Sequence, residues 1–250
     1  MEGTNKKDVS QTAENALRIL DCFIEKEECG ISELSRELAI SKASVSRLVA
    51  ALERRKFLLQ NKSTGKYRLG ARLMLFGSLY QERNELSRYF SSALRYLAEK
   101  YQATTHLSAV GGSEIVVVNK IVCGSVVYMA SRIGGTMTAA SSATGKCILA
   151  FSNSERIERL LSGEKFRALT EHSITDKEAL LLELQKIRST GYAVDNEEAA
   201  LGLYCVAVPV FNLCDEPIAA LSVSGSKEIL SSRTLEIVAD LKAAAKDFSK

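Results

Sequence analysis

Apolar residues keep a helical spacing through roughly the first hundred positions of this chain and then give way to strand-like runs. Leu17, Ile19, Leu20 and Phe23 share one side of a first helix, which Thr12 would cap. Leu34 and Leu38 lie one turn apart on a second, after a capping Ser32. Ala39, Ile40 and Ser41 make a tight turn. Ser41 is placed to accept the orphan N–H groups of a third helix, and Ser44 three residues on supports the same boundary. In that helix Val45, Leu48, Val49 and Leu52 fall at i, i+3, i+4 and i+7, so its apolar side turns inward. Residues 57–60 and 66–69 then predict two short strands around the polar, Gly-containing turn Asn61–Gly65. The first ten residues carry no such pattern and are expected to be disordered.

Between the two textures lies an apolar helical stretch. Leu73, Leu75, Phe76, Leu79 and Tyr80 give residues 71–83 a broad apolar side, and after Asn84 a second stripe runs through Leu86, Phe90, Ala93, Leu94 and Leu97. These faces either form a seam between two copies or pack on their own domain. From Ala103 onward, 105–110 and 114–121 predict strands bridged by Gly111-Gly112, and 125–131 predicts a third. A loop over 132–142, with Gly134-Gly135 and many hydroxyls, leads into a helix from about Ala143 to Phe151. Asp176 opens another helix, with Thr175 and Glu178 as a capping box, a core face of Leu180, Leu181, Leu184 and Ile187, and Gly191 as its end. Residues 204–212 and 218–225 predict two apolar strands joined around Asp215–Pro217. A last amphipathic helix carries Leu235, Val238, Leu241, Ala245 and Phe248. The interleaving predicts an α+β domain with an antiparallel sheet.

What the third helix leaves outward is Lys42, Ala43, Ser44, Ser46, Arg47, Ala50 and Arg54. Small and basic residues there suit entry into a DNA major groove, because bulk would hold the helix off the base edges and acid would repel phosphate. Charge agrees locally rather than globally. The whole chain carries only +3, but residues 36–72 hold ten Lys or Arg against two acids, a net of +8. Such a field attracts phosphate and releases counterions. A solvated basic face on an ordinary helical domain is the alternative, and the helix-turn-helix spacing argues against it. In the hairpin, Tyr67 and Leu69 share one face and Lys66 and Arg68 the other, which makes a wing whose Lys62, Lys66 and Arg68 would hold phosphates or the minor groove rather than read bases. With Ser32 and Ser41 at the helix starts, these residues form the candidate DNA-facing set.

The 250 residues, 46% of them hydrophobic, suffice for about two cored domains. No run approaches the roughly 18 apolar residues of a membrane span, and the N-terminus lacks a signal pattern. The six cysteines (22, 29, 123, 147, 205 and 214) show neither a CxxC pair nor zinc spacing, as expected of reduced, mostly buried thiols in a cytoplasmic protein without a metal or cofactor. Enzyme signatures fail. Ala140 to Cys147 misses the phosphate-loop pattern at both its first glycine and its final hydroxyl, and neither GxGxxG nor GxSxG occurs. A Cys205–His106–Asp195 nucleophilic set is imaginable across strands but nothing local supports it. Binding without reaction fits better. Thr138, Ser141, Ser142 and Thr144 cluster where a loop becomes a helix N-terminus, a natural anion site. Asp195, Cys205, Ser222 and Ser224 lie on or beside the late strands, and the two serines point to one side of theirs. Bonding to a neighbouring strand or helix is the competing use of those hydroxyls.

Residues 16–23 (ALRILDCF), 31–53, 65–70 (GKYRLG), 131–134 (SRIG), 143–150 (ATGKCILA), 173–211 and 218–225 (IAALSVSG) together resemble an IclR-type transcriptional regulator from about Thr12 to Ala245. The resemblance implies a winged helix-turn-helix domain over 1–70, a helical linker over 71–84 and a GAF-like α/β effector domain over 85–250. It implies a regulator, not an enzyme, working on double-stranded operator DNA as a homodimer or dimer of dimers. A small carboxylate or sugar acid would be its effector. The effector lining it implies falls on Ala143, Thr144, Asp195, Leu203, Cys205, Ser222 and Ser224, to which the reading of the loop adds Thr138 and Ser142. One departure stands out: Ala139-Ala140 occupies a place where many members of the family carry a His or another polar residue.

Overall fold

In the computed structural model, residues 9–124, 131–163, 165–246 and 248 are described. The predicted strand over 125–131 falls almost wholly outside them, as do eight of the ten N-terminal residues expected to be disordered. The chain divides into two compact units, the first ending at Tyr80 and the second beginning at Gln81.

In the first unit, α1 (Gln11–Asp21), α2 (Ile31–Leu38) and α3 (Lys42–Arg54) precede an antiparallel hairpin of β1 (Leu58–Gln60) and β2 (Tyr67–Leu69). Ile19, Leu34, Val45, Val49 and Leu58 are buried together in its core, with Leu48 and Leu52 packed at the edge. Each such burial contributes about 1.5–3 kcal/mol against the ordering cost of a small domain. Two helix starts differ from the sequence expectation. Thr12 lies within α1, whose flanking residue is Ser10. Ser32 lies exposed in the first turn of α2, because Gly30 holds the cap position and its N–H donates to Glu33 Oε2 at 2.6 Å. The turn between α2 and α3 is as expected: Ala39 adopts the left-handed region (φ 55°), and Ser41 Oγ accepts from Ser44 N at 3.2 Å.

Helix α4 (Arg72–Arg83) has no buried residue, and Met74, Leu75, Phe76 and Tyr80 are exposed. The stripe on α5 (Glu85–Tyr101) behaves oppositely: Phe90, Leu94 and Leu97 are buried in the core of the second unit. The two apolar faces, similar in sequence, therefore have different surroundings.

The second unit is built on a six-stranded sheet of order β5-β4-β3-β8-β7-β6, antiparallel at every pairing. Its strands are β3 (Thr104–Gly111), β4 (Glu114–Ile121), β5 (Thr136–Met137), β6 (Ala193–Asn196), β7 (Leu203–Phe211) and β8 (Pro217–Ser226). Side chains alternate across it. Val206, Val208, Leu221, Val223 and Leu107 face α5 and α10 (Thr234–Lys246). Cys205, Ala207 and Ala220 face the opposite layer of α6 (Ala143–Phe151), α7 (Ser154–Leu161) and α8 (Lys177–Thr190). A short α9 (Lys227–Leu230) follows β8. Helix α6 is buried from Ala143 to Ala150, which explains its nearly continuous small and apolar sequence.

Several details were not anticipated. The short strands β5 and β6 and the helix α7, capped by Asn153, carry little periodicity of their own. Asp176 itself caps α8 by accepting from Ala179 N at 2.8 Å, displacing the expected Thr175–Glu178 box. Leu181 and Leu235, predicted for the core, are exposed, because the inward stripes of α8 and α10 run through Leu180, Leu184 and Ile187 and through Ile237, Val238, Leu241 and Ala245. Gly191 ends α8 in the left-handed region (φ 76°), as its sequence position suggests.

Candidate nucleic-acid interface and ligand site

On α3 the inward positions are filled by Val45 and Val49, and Lys42, Ala43, Ser46, Arg47, Ala50 and Arg54 are left exposed. Ser44 is half-buried, and its hydroxyl receives a hydrogen bond from Ser41 Oγ at 3.0 Å. The outward flank is therefore small and cationic, with the hairpin following directly. The wing tip is braced from a side the sequence did not disclose. Glu28, ahead of α2, accepts from Asn61 Nδ2 at 2.7 Å and from Thr64 Oγ1 at 3.1 Å. Lys62 and Arg68 are exposed on this wing. Lys66 is not the free cation expected of it: its ammonium pairs with Glu33 Oε1 at 3.0 Å, so it ties the wing to α2. Glu33 thus serves two tasks, accepting from the Gly30 N–H and from Lys66, and both hold its carboxyl below the usual range, the backbone bond foremost.

In the second unit, strand register lines up residues far apart in sequence. Asp195 lies opposite Cys205, Cys205 opposite Ser224, and Ser224 opposite Thr104. One rung along, Ala207, Ser222, His106 and Lys120 are aligned in the same way. Ser108 follows two residues after His106 on the same side of β3. All of these except Lys120 are buried. Most of this polar row was picked out in sequence, but Thr104 and Ser108 were missed. Their signal was the alternation of Thr104, His106 and Ser108 with apolar or core-facing neighbours.

The row is only partly satisfied. Ser224 donates to Cys205 Sγ at 2.8 Å, whereas Ser222 Oγ, also beside that thiol, lacks hydrogen-bond geometry to any described group. Ser108 Oγ and Thr144 Oγ1 are likewise buried without a partner among the described residues. Leaving such a group unsatisfied costs about 1–3 kcal/mol. Three of them on or over one sheet face are a substantial penalty. Burial drives the Cys205 thiol up to about 12, which makes it a poor nucleophile, and it drives His106 down to about 3, with Lys120 adding to the effect. His106 Nε2 lies 2.9 Å from Ser131 Oγ rather than near a nucleophile's proton, and the nucleophilic set has no structural support. Among the described residues, no cluster of His, Cys, Asp and Glu is arranged to hold a metal.

The helix that overlies the row is held by its own local bonds. Ser142 accepts from Gly145 N at 3.0 Å and donates to the Thr138 carbonyl at 2.6 Å, so its hydroxyl is committed to the cap. Gly145 is needed here, since a Cβ would stand 2.6 Å from the carbonyl oxygens of Thr138 and Ala139. Thr138 is exposed and lies 2.5 Å, Oγ1 to Oγ, from Ser141. Asp195 Oδ1 accepts from Glu198 N at 2.7 Å and from Ala199 N at 3.3 Å, and burial raises its pKa. It therefore anchors the turn after β6, and that turn presents Glu198 to the fully buried Lys146 of α6. Leu203, Ala143 and Thr144 are buried around the same face.

Comparison with known proteins places these two units in context. Residues 12–62 match the IclR helix-turn-helix domain, and residues 79–250 match the bacterial transcriptional regulator IclR C-terminal domain. The HTH-type transcriptional regulator KdgR of Escherichia coli is 35% identical over 232 residues, covering 92% of this chain and 88% of that protein. The crystal structure of the Thermotoga maritima IclR superposes with a TM-score of 0.78 at 30% identity, covering 95% of this chain and 97% of the other. An IclR homologue from Microbacterium hydrocarbonoxydans, crystallised with 4-hydroxybenzoate, shares the fold with a TM-score of 0.81 at 21% identity, covering 95% and 98% of the two chains.

Proposed function

The chain belongs to the IclR family of bacterial transcriptional regulators, with a helix-turn-helix DNA-binding domain and a ligand-binding C-terminal domain, and on that premise we propose how its own residues divide the work. The exposed flank of α3, from Lys42 to Arg54 with Arg47 at its centre, reads operator base edges, and Lys62 and Arg68 hold flanking phosphates. A small carboxylate or sugar acid binds between the N-terminus of α6 and the polar row of the sheet. Its carboxylate meets the opening N–H groups of Ala143 and Thr144, where the helix dipole favours negative charge. Its hydroxyls engage Ser222, Ser224 and Asp195. Two copies associate through the exposed apolar face of α4, alone or as a dimer of dimers, and so present two recognition helices to paired half-sites.

The observation that carries the effector reading is the set of buried hydroxyls at Ser108, Thr144 and Ser222 that have no partner among the described residues. Two of these hydroxyls lie on the sheet face and one on the helix over it, an arrangement that suits a polar ligand held between them. The 4-hydroxybenzoate carried by the Microbacterium hydrocarbonoxydans homologue is a carboxylate on this same fold, which fits the acid class. The effector then shifts DNA affinity by binding two arrangements of the dimer unequally. Coupling of this kind is typically about 1–3 kcal/mol, and it is reciprocal.

A thermal-shift screen of small carboxylic and sugar acids on the full chain tests the reading. An effector at a hundred times its Kd should stabilise by about 2.7 kcal/mol, and Ser222→Ala with Ser224→Ala should abolish that shift. A screen with no stabilising acid, or a double variant that responds like the wild type, overturns the assignment.

A further inference from the structure

A cavity of about 440 Å³ lies between the segment leading into α6 and the strap that follows α7. This volume lies within the roughly 300–1,000 Å³ of small-molecule sites and is more than a two- or three-carbon acid fills. Its walls combine apolar surface, from Met137 and Phe166, with the hydroxyls of Thr138 and Ser141. Its lining runs as far as Ser141, the residue before the Ser142 cap of α6 and three before Thr144, where the effector's carboxylate is assigned. It also carries charge. Lys165 and Arg167 line it with no hydrogen bond or ion pair to any described residue, and among the described lining residues the acid is Glu114.

The strap that bears these cations is fastened. Thr170 Oγ1 donates to the Glu197 carbonyl at 2.6 Å, and Ser173 Oγ donates to the Glu198 carbonyl at 2.7 Å. Ser173 Oγ also accepts from Leu169 N and Thr170 N, each at 3.0 Å. The same turn carries the Glu198 carboxylate to Lys146 of α6. Two cations without a partner among the described residues are thus held at the rim of a half-polar cavity, on a strap bonded to the turn that braces the effector helix.

We propose that this cavity is a second subsite, which receives the far end of an extended hydroxylated acid and uses Lys165 and Arg167 to select a second anionic group there. The proposal rests on the effector reading for the first carboxylate. The chain then prefers diacids of sugar length over monoacids of the same length. The aromatic ring of Phe166 and the hydroxyls of Thr138 and Ser141 take the carbon chain between the two ends, and Glu114 accepts from a chain hydroxyl rather than from the anion.

Glucarate and gluconate make the matched probes, since they share a chain and differ by one terminal carboxylate. Isothermal titration of the full chain should show glucarate bound about fivefold more tightly, the scale expected of solvent-exposed ion pairs. The preference should shrink as sodium chloride is raised. Lys165→Gln with Arg167→Gln should erase the preference and leave gluconate binding and the melting temperature unchanged, because both side chains are exposed. Equal wild-type affinities, a double variant that weakens both acids alike, or binding of neither acid overturns the proposal. Ser222→Ala with Ser224→Ala separates it from the effector reading. A serine variant that binds both acids like the wild type overturns the effector reading, whereas one that loses both acids supports that reading and leaves the subsite to be decided by the Lys165 and Arg167 variant.

Discussion

The Lys146 ammonium, without solvent exposure, meets the Glu198 carboxylate and the Val194 carbonyl, the latter at 2.7 Å. This places a charged bond at the joint between α6 and the turn after β6. Burying two charges is expensive, and their attraction offsets the cost only while both are present. Burial pushes the Glu198 carboxyl up, with Lys146 opposing it. Lys146→Met should therefore destabilise the chain by about 3–5 kcal/mol, the cost of an orphaned buried charge. Lys146→Met with Glu198→Leu should recover most of that loss. Urea unfolding of the three proteins checks it, and a single variant as stable as wild type would show that the pair is not desolvated.

His106 predicts a pH dependence. Its ordinary pKa of 6.5 applies in the unfolded chain, and burial with Lys120 opposite it on β4 lowers it to about 3 in the fold. The native ring stays neutral while the unfolded ring takes a proton, so stability is complete above about pH 6.5 and falls as pH drops toward 3. The loss should approach about 1.4 kcal/mol per pH unit, or about 2–4 °C in Tm for each kcal/mol lost in a chain of this size. Scanning Tm between pH 7.5 and 5 should show the slope in wild type and a flatter profile in His106→Gln. Parallel profiles would remove His106 as the cause.

How much of this was legible in sequence follows from how local each signal is. The helix-turn-helix was legible because Val45, Leu48, Val49 and Leu52 share one helix and Ser41 caps it within three residues. The polar row was legible one strand at a time. Ser222 and Ser224 declare a common side, but their alignment with His106 and Thr104 depends on pairing between β3 and β8, more than a hundred residues apart. No local pattern states which strands pair. The same gap hid the Glu198 partner of Lys146, which reads as one more lysine in an ATGK run. The cap expected at Ser32 failed for a different reason. A nearby Glu33 met the Gly30 N–H and moved the start of α2, and propensity alone does not weigh that competition.

The wing separates two kinds of lysine. Lys62→Ala and Arg68→Ala should each lower the salt dependence of operator binding by about one counterion, uniformly across sequences. Lys66→Ala should leave that slope unchanged, since its ammonium is given to Glu33. Its cost is instead a fraction of a kcal/mol in stability, about 0–1 for an exposed pair. Arg47→Ala should weaken specific binding by about 1–3 kcal/mol and spare non-specific binding. Fluorescence anisotropy across a salt series on operator and scrambled duplexes measures all four. A Lys66 variant with the slope change of Lys62 would mean that the Glu33 pair opens on DNA.

The exposed face of α4 yields the last prediction. Met74 is 77% exposed and Leu75 is 45% exposed, on a helix with no buried residue. Phe76 is partly shielded by stacking on Phe57, with ring centroids 5.7 Å apart, so Met74 and Leu75 are the cleaner probes. Contiguous apolar surface of this kind marks an interface, and burying it between two copies would recover about 25 cal/mol for each Å² covered. Met74→Glu with Leu75→Glu should shift the chain toward monomer in light scattering at micromolar concentration while leaving its far-UV circular dichroism unchanged. Operator affinity should fall with it, because two half-sites are then bound independently. A variant that keeps the wild-type mass would locate the two-fold contact elsewhere and leave the α4 face unexplained.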